Sequence, residues 1–199
     1  MLAHKESDIL KNVKKYARTV LSAERYNHCV RTAQTAALLC EHYNENTDSG
    51  LFAGFAHDIC KDADDKTLIN IAMQDGLPIS EIEQKKPKLL HGRAAAIILQ
   101  SNFGVQDKDI LQAVRVHTFG SKNMCNLAKI IYIADKIEPK RTHMGMIKAN
   151  ELLQMTLDEL LLFTLTQTVK YRKKKNSEIF PESLWFCDTE KNIATDFCI

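Results

Sequence analysis

Leu51-Phe-Ala-Gly-Phe-Ala-His57-Asp58-Ile-Cys-Lys61 is the stretch around which the chain is organised. Phe52, Ala53, Phe55, Ala56 and Ile59 recur at helical spacing, so the segment reads as a mostly buried helix. It closes on an adjacent histidine and aspartate, with Lys61 just beyond, and a packed core would hold that pair rigidly. An adjacent His-Asp pair alone is commonly a surface feature or a helix cap. Its weight comes from four further residues with ligand chemistry at helix ends or on helix faces: His28, His91, His117 and Asp135.

Outward from this stretch, helical periodicity continues through nearly the whole chain. Ser7 is placed to cap a first helix running to about Leu21, and a second spans about Glu24 to His42. Arg25, His28, Arg31 and Thr32 fall at i, i+3, i+6 and i+7 of that second helix and share one face. Asn44 to Gly50 reads as a polar loop in which Asp48 caps the helix leading to His57-Asp58. Asp62-Ala-Asp-Asp65 opens a helix to Asp75, with Gly76 as a left-handed stop. Ser80-Glu-Ile-Glu83 is a capping box for a short helix that Pro87 ends. Leu89-Leu90-His91-Gly92 leads into an Ala/Ile-rich helix closed by Gly104. Asp107 caps the next, which ends at His117-Thr118-Phe119-Gly120. An apolar helix from Ala128 closes on Asp135-Lys136, shortly before Pro139 forbids continuation. Thr156-Leu-Asp-Glu159 is another capping box, for a helix to about Lys174. Asn176 to Ile199 has no clear period and carries the only tryptophan, Trp185. The predicted fold class is all-α.

A length of 199 residues suits one domain, with a core over about residues 22–141 and a C-terminal helix and tail over 142–199. Apolar content of 45% and charged content of 26% are ordinary for a soluble globular protein, and seven glycines with four prolines exclude a collagen-like or linker composition. A formal net charge of +2 gives no whole-protein argument for nucleic acid. The basic run Lys170-Tyr-Arg-Lys-Lys-Lys175 ends a helix, where cations complement the dipole, and reads as a solvated helix end rather than an RNA contact. No apolar run approaches the ~18 residues of a membrane span, and Met1 to Asp8 lacks the apolar region of a signal peptide. The six cysteines form no C-x-x-C pair, so the expectation is a reduced cytoplasmic protein whose cysteines are mostly small core residues. Cys29 and Cys60 adjoin candidate ligands, but Cys29 is turned about 100° from His28 on its helix, which favours packing. Apolar residues around Trp185 leave a homodimer open.

Each candidate ligand has an ordinary reading when taken alone. His28 reads as a hydrogen-bonded core histidine, His91 as a loop residue, His117 as a partner of a helix dipole and Asp135 as a cap. Four of the seven histidines nevertheless share settings at helix ends or on the polar edge of buried helices. His4, His42 and His143 lack such settings and read as solvated.

The order His28, His57-Asp58, His91, His117, Asp135 resembles the pattern of HD-domain phosphohydrolases, in the version with two extra histidines for a second metal. Five local strings narrow the resemblance. Arg25-Tyr26-Asn27-His28, His57-Asp58-Ile-Cys-Lys61, Leu90-His91-Gly92, His117-Thr118-Phe-Gly120 and Ile133-Ala134-Asp135-Lys136-Ile137-Glu138-Pro139-x-Arg141 look like the YqeK family. That family comprises the symmetrical diadenosine-tetraphosphate hydrolases of bacteria. The resemblance is close from Arg25 to Arg141 and looser in the flanking helices. Lys140 departs from the pattern where many members have glycine, which alters the loop and not the ligand set.

The resemblance implies an HD-domain helical bundle in which His28, His57, Asp58 and Asp135 hold one metal. Asp58 would bridge to a second, held by His91 and His117. The cofactors would be two metal ions, iron first with manganese or zinc as alternatives, because a mixed imidazole and carboxylate shell suits these better than magnesium. Two ions about 3.5–4 Å apart can share a hydroxide and clamp phosphoryl oxygens during in-line attack. The implied reaction is hydrolysis of diadenosine tetraphosphate to two ADP, by attack on the second phosphorus from one adenosine. Asp58 and Lys61 would be catalytic, with Arg25, Lys61, Thr118 and Arg141 binding this small-molecule dinucleoside polyphosphate. For the three cations a solvated surface is the ordinary reading, and for Thr118 it is helix termination. The rivals are an HD phosphohydrolase of nucleoside monophosphates or guanosine polyphosphates, and a non-catalytic nucleotide- or RNA-binding module. A set of six ligands argues against the last.

Overall fold

Helices with an apolar stripe remove it from water by packing on one another. The computed structural model describes residues 2–141 and 154–176, with side chains from Asp8 onward, and among them it contains nine α-helices and no strand. They are α1 (Leu2–Val20), α2 (Ala23–His42), α3 (Thr47–Ala56), α4 (Asp65–Ala72), α5 (Glu81–Lys85), α6 (His91–Phe103), α7 (Lys108–Val116), α8 (Asn126–Ile137) and α9 (Leu157–Lys174). Short 3-10 turns fill Met73–Asp75 and Pro87–Leu90. The all-α expectation holds. No helix among the described residues is long and apolar enough to cross a membrane. His143, Trp185, Cys187, Cys198 and the side chains of His4 and Ser7 lie outside the described residues.

Most stops and starts follow from the local residues. Asp64, Asp107, Ser80 and Thr156 cap α4, α7, α5 and α9, the last two through complete capping boxes. Several boundaries differ from expectation, among them the end of α4, which stops at Ala72 and gives way to a 3-10 turn before Gly76. Helix α1 begins at Leu2, so Ser7 lies inside it, because no residue before Ser7 breaks the helix. Asn46 rather than Asp48 caps α3: its side chain accepts from the Ser49 amide at 2.9 Å, leaving Asp48 inside the first turn where its charge favours the dipole. Helix α8 begins earlier, capped by Cys125, and runs on to Ile137. Glu138 then turns extended (φ −53°, ψ 150°) as the residue before Pro139 must.

Helix α8 is the hub, touching α2, α3, α7 and α9. It is apolar nearly all round, with Leu127, Ala128, Ile130, Ile131, Tyr132, Ile133 and Ala134 all buried. Two glycines set the closest helix approaches. A methyl at Gly54 would lie 2.7 Å from the Ala33 Cα, so α3 rests directly on the α2 backbone. A methyl at Gly92 would lie 2.9 Å from the Val114 carbonyl oxygen, so α6 rests on the end of α7. The first approach brings the end of α3 to the middle of α2, and the second brings the start of α6 to the end of α7. Cys29, Cys40 and Cys60 are buried free thiols, as expected of small core residues, and burial pushes Cys60 up to about 12.

Candidate metal centre

A helix end leaves its last carbonyls without partners inside the helix. Three histidines exploit this. His57 follows α3 and its Nδ1 lies 2.7 Å from the Gly54 carbonyl; His117 follows α7 and lies 2.8 Å from that of Val114. His91 opens α6 and lies 2.5 Å from the Lys88 carbonyl in the preceding turn. Each carbonyl belongs to the residue three positions back. Carbonyls only accept, so each Nδ1 carries the proton and each Nε2 presents a bare lone pair. His28 sits inside α2, where the helix uses its own carbonyls, and its Nδ1 instead faces Glu138 Oε1 at 3.1 Å.

The four Nε2 atoms converge with Asp58 and Asp135, and all six residues are buried. In one group, His28 Nε2 lies 3.0 Å from Asp135 Oδ1, 3.3 Å from His57 Nε2 and 3.7 Å from Asp58 Oδ2, while His57 Nε2 is 3.4 Å from Asp58 Oδ2. In the other, Asp58 Oδ1 lies 3.0 Å from His91 Nε2 and 3.4 Å from His117 Nε2, and these two nitrogens are 3.0 Å apart. Asp58 thus divides its carboxylate, one oxygen to each group.

These are acceptors facing acceptors, and Asp58 Oδ1 has no hydrogen-bond donor. Such contacts are repulsive unless a cation lies between them. An ion bonded at about 2.1 Å to two such atoms, at angles from about 90° to about 109°, separates them by about 3.0–3.4 Å. Most of the observed separations fall in that range, so the residues fit a bound divalent ion in each group. Where a histidine Nε2 carries a proton instead, it donates to Asp58. Burial alone would raise the Asp58 carboxyl, but His57, His117 and His91 outweigh it and hold it well below the usual carboxylate range. Burial would lower His57, yet the adjacent Asp58 and then Asp135 raise it.

Cations surround the cluster. Arg25 donates to Asp58 Oδ2 at 2.8 Å, Arg141 to Asp135 Oδ1 at 3.1 Å, and Lys136 to the other Asp135 oxygen. Lys61 Nζ lies 3.2 Å from His91 Nε2, and Thr118 Oγ1 lies 3.4 Å from the same atom. Burial pushes the Lys61 ammonium below its ordinary value, against the pull of Asp58 and Asp135. A cavity of about 450 Å³ opens over Asp58, His91, His117 and Asp135, and Arg25, Lys61, Thr118 and Arg141 all line it. A smaller one of about 270 Å³ lies on the His28 side, against Arg31, Glu138 and Lys140.

Every residue singled out in the sequence as a site candidate therefore meets the cluster or its cavity. Several others meet it unannounced. Lys136 and Glu138 stood inside the Asp135 to Arg141 string, and Arg31 shared the face of Arg25 and His28. Arg172, with Tyr171, lines the larger cavity from α9, so part of the basic run faces the site instead of forming only a solvated helix end. The HD domain family matches residues 25–140.

The chain belongs to the HD-domain family.

All six residues of the cluster fall inside the matched HD domain, and Arg141 stands one residue beyond it. Membership in this family carries dependence on divalent metal, in keeping with the buried His/Asp groups. Among curated proteins, the chain is 32% identical over 163 residues to the symmetrical bis(5'-nucleosyl)-tetraphosphatase of Bacillus subtilis, covering 82% of this chain and 87% of the relative. It is 31% identical over 177 residues to the protein of the same name from Staphylococcus aureus, covering 88% and 91%. Among solved structures it is similar to a protein from Clostridium acetobutylicum described as a "predicted HD superfamily hydrolase involved in NAD metabolism". That likeness has a TM-score of 0.77 at 31% identity and covers 88% of this chain and 93% of the other.

Proposed function

We propose that this HD-domain hydrolase cuts diadenosine tetraphosphate at its centre and releases two ADP. The observation that carries the reading is Asp58, buried, with one oxygen in each of two ligand groups on the floor of a cation-lined cavity. The names of the relatives supply the substrate class. In this reading His28, His57, Asp58 and Asp135 hold one ion, and Asp58, His91 and His117 hold a second. Iron is the expected metal, with manganese or zinc as alternatives. Bound divalent ions supply Lewis acidity and bring the pKa of water near neutrality.

The remaining work falls to the chain's own residues. Arg25 and Arg141 each hold a ligand carboxylate and also line the cavity, so they fix the ligands while turning other N–H groups towards the polyphosphate. Lys61 is a compact point charge beside His91, placed to neutralise charge that develops on the departing ADP. Thr118 adds a hydroxyl donor on the same side. Helix α9 lies outside the family match yet lines the cavity through Thr168, Tyr171 and Arg172, which supports treating residues 1–199 as a single domain.

A central cut requires the site to measure a nucleoside plus two phosphates before the scissile bond. ADP should then appear whatever the chain length: two ADP from diadenosine tetraphosphate, and ADP with ATP from the pentaphosphate. Chromatography of early products from both substrates is the test. AMP with ATP as the main early products of the tetraphosphate would overturn the reading.

A further inference from the structure

Of the four histidines that meet at the cluster, His28 alone has a carboxylate behind its Nδ1. The other three rest on neutral backbone carbonyls of their own turns. Glu138, which orients His28, is buried and has both oxygens engaged. Oε2 accepts from Arg31 Nε at 2.6 Å and from the Lys140 amide at 2.9 Å. Oε1 accepts from Arg31 Nη2 at 3.2 Å and faces His28 Nδ1 at 3.1 Å. With three donors already fixed on it, the carboxylate cannot swing away, and the imidazole must answer it with Nδ1–H. That leaves Nε2 as a lone pair aimed at Asp58 and Asp135. A carboxylate behind an imidazole sets its tautomer and strengthens it as a donor, and loss of such a partner typically costs about 10–100-fold in metal affinity.

We propose that Glu138 is a positioning residue for one ion only: through His28 it sets the affinity of the group formed with His57, Asp58 and Asp135, and it leaves the His91/His117 group untouched. The asymmetry follows from the fold, since no other buried carboxylate backs an imidazole in the cluster among the described residues. The inference rests on the ligand assignment proposed above, and the test separates the two.

The informative variant is Glu138→Gln, which keeps volume and shape. The amide oxygen will take the position of Oε2, where Arg31 Nε and the Lys140 amide both donate, rather than that of Oε1, where Arg31 Nη2 alone does, and this turns the amide NH2 towards His28. His28 Nδ1 then has to accept, the proton moves to Nε2, and the lone pair that would meet the ion is gone. Metal-free full-length protein is titrated with Zn²⁺ against a chromophoric chelator, for the wild type, Glu138→Gln, His28→Ala and the double variant. The His28 ring tautomer is read in parallel from ¹⁵N shifts of the metal-free wild type and Glu138→Gln proteins. Glu138→Gln should weaken the same binding step that His28→Ala weakens, by about 10–100-fold, and leave the other step unchanged. The tautomer should switch from Nδ1–H to Nε2–H, and the double variant should bind as His28→Ala alone does. Equal weakening of both steps, an unchanged tautomer, or further loss in the double variant would overturn the proposal. If His28→Ala itself leaves both steps intact, the ligand assignment fails instead, and this inference with it.

Discussion

Gly92→Ala adds one methyl group and no chemistry, yet it should disable half of the metal centre. The new carbon would lie 2.9 Å from the Val114 carbonyl oxygen and 3.0 Å from both Nδ1 and Cε1 of His117. Ordinary contact begins at 3.4 Å, so α6 and α7 must part by roughly 0.5 Å. The two atoms it strikes, Val114 O and His117 Nδ1, are the partners in the 2.8 Å hydrogen bond that aims His117. Stability changes little, because alanine gains about 0.8–1 kcal/mol of helix propensity while overpacking costs about 1–3 kcal/mol. A net loss of about 0–2 kcal/mol is expected. The ligand geometry has no such compensation. His91 and His117 Nε2, now 3.0 Å apart, would open to roughly 3.5 Å, beyond the about 3.4 Å that one ion spans. We expect one bound ion to weaken at least tenfold, about 1.4 kcal/mol, with the other retained. Chelator competition with elemental analysis reads the affinity, and thermal unfolding of metal-free protein reads the stability. Two ions bound with wild-type affinity in Gly92→Ala would refute the claim that this close approach builds the second group.

Three more outcomes can be checked. Asp58→Ala should lose both ions and essentially all hydrolysis while helical circular dichroism persists; two ions per chain in that variant would remove the bridging assignment. Lys61→Ala should keep its metal but lose about 1.5–3 kcal/mol of transition-state stabilisation, a fall of about ten- to a hundredfold in kcat/KM; wild-type kinetics would return Lys61 to a structural role. Asp75 accepts from Arg93, from Arg115 and from the Leu77 amide, so Asp75→Asn should cost about 1.5–3 kcal/mol of stability. Burial favours its neutral form, but the two arginines outweigh burial and hold the carboxyl well below its usual range. Its contribution is therefore complete above an unfolded value of about 3.9 and fades as pH falls below that towards the folded value. Denaturation series should show the wild type and the Asn variant converging in acid, and a gap that widens there would contradict the sign.

The helices were legible because caps and periods are local. Ser80, Asp107 and Thr156 each reach an amide two or three residues on, a relation visible in the sequence itself. Asn46 and Asp48 show the limit: both carry an acceptor, and only the backbone geometry at Asn46 decides which one reaches the Ser49 amide. The site residues stood out because titratable side chains at helix ends are conspicuous. Their grouping was not, since which oxygen of Asp58 faces which histidines depends on how α3 crosses α2 and α6 crosses α7. Gly54 and Gly92 determine those crossings and have no side chain to draw notice. Glu138 was hidden for a different reason. Its partner lies 110 residues away, and no period connects them.

The contrast between backbone-held and side-chain-held imidazoles also bears on how the sequence can drift. Every amino acid carries a carbonyl, so any replacement at positions 54, 88 or 114 that fits sterically leaves the hydrogen bond behind His57, His91 or His117 in place. Those three histidines can be inherited without a correlated partner. His28 cannot, because the group behind it disappears with a single substitution at position 138. Across relatives, positions 28 and 138 should therefore be kept together or lost together, with Arg31 following the carboxylate it neutralises.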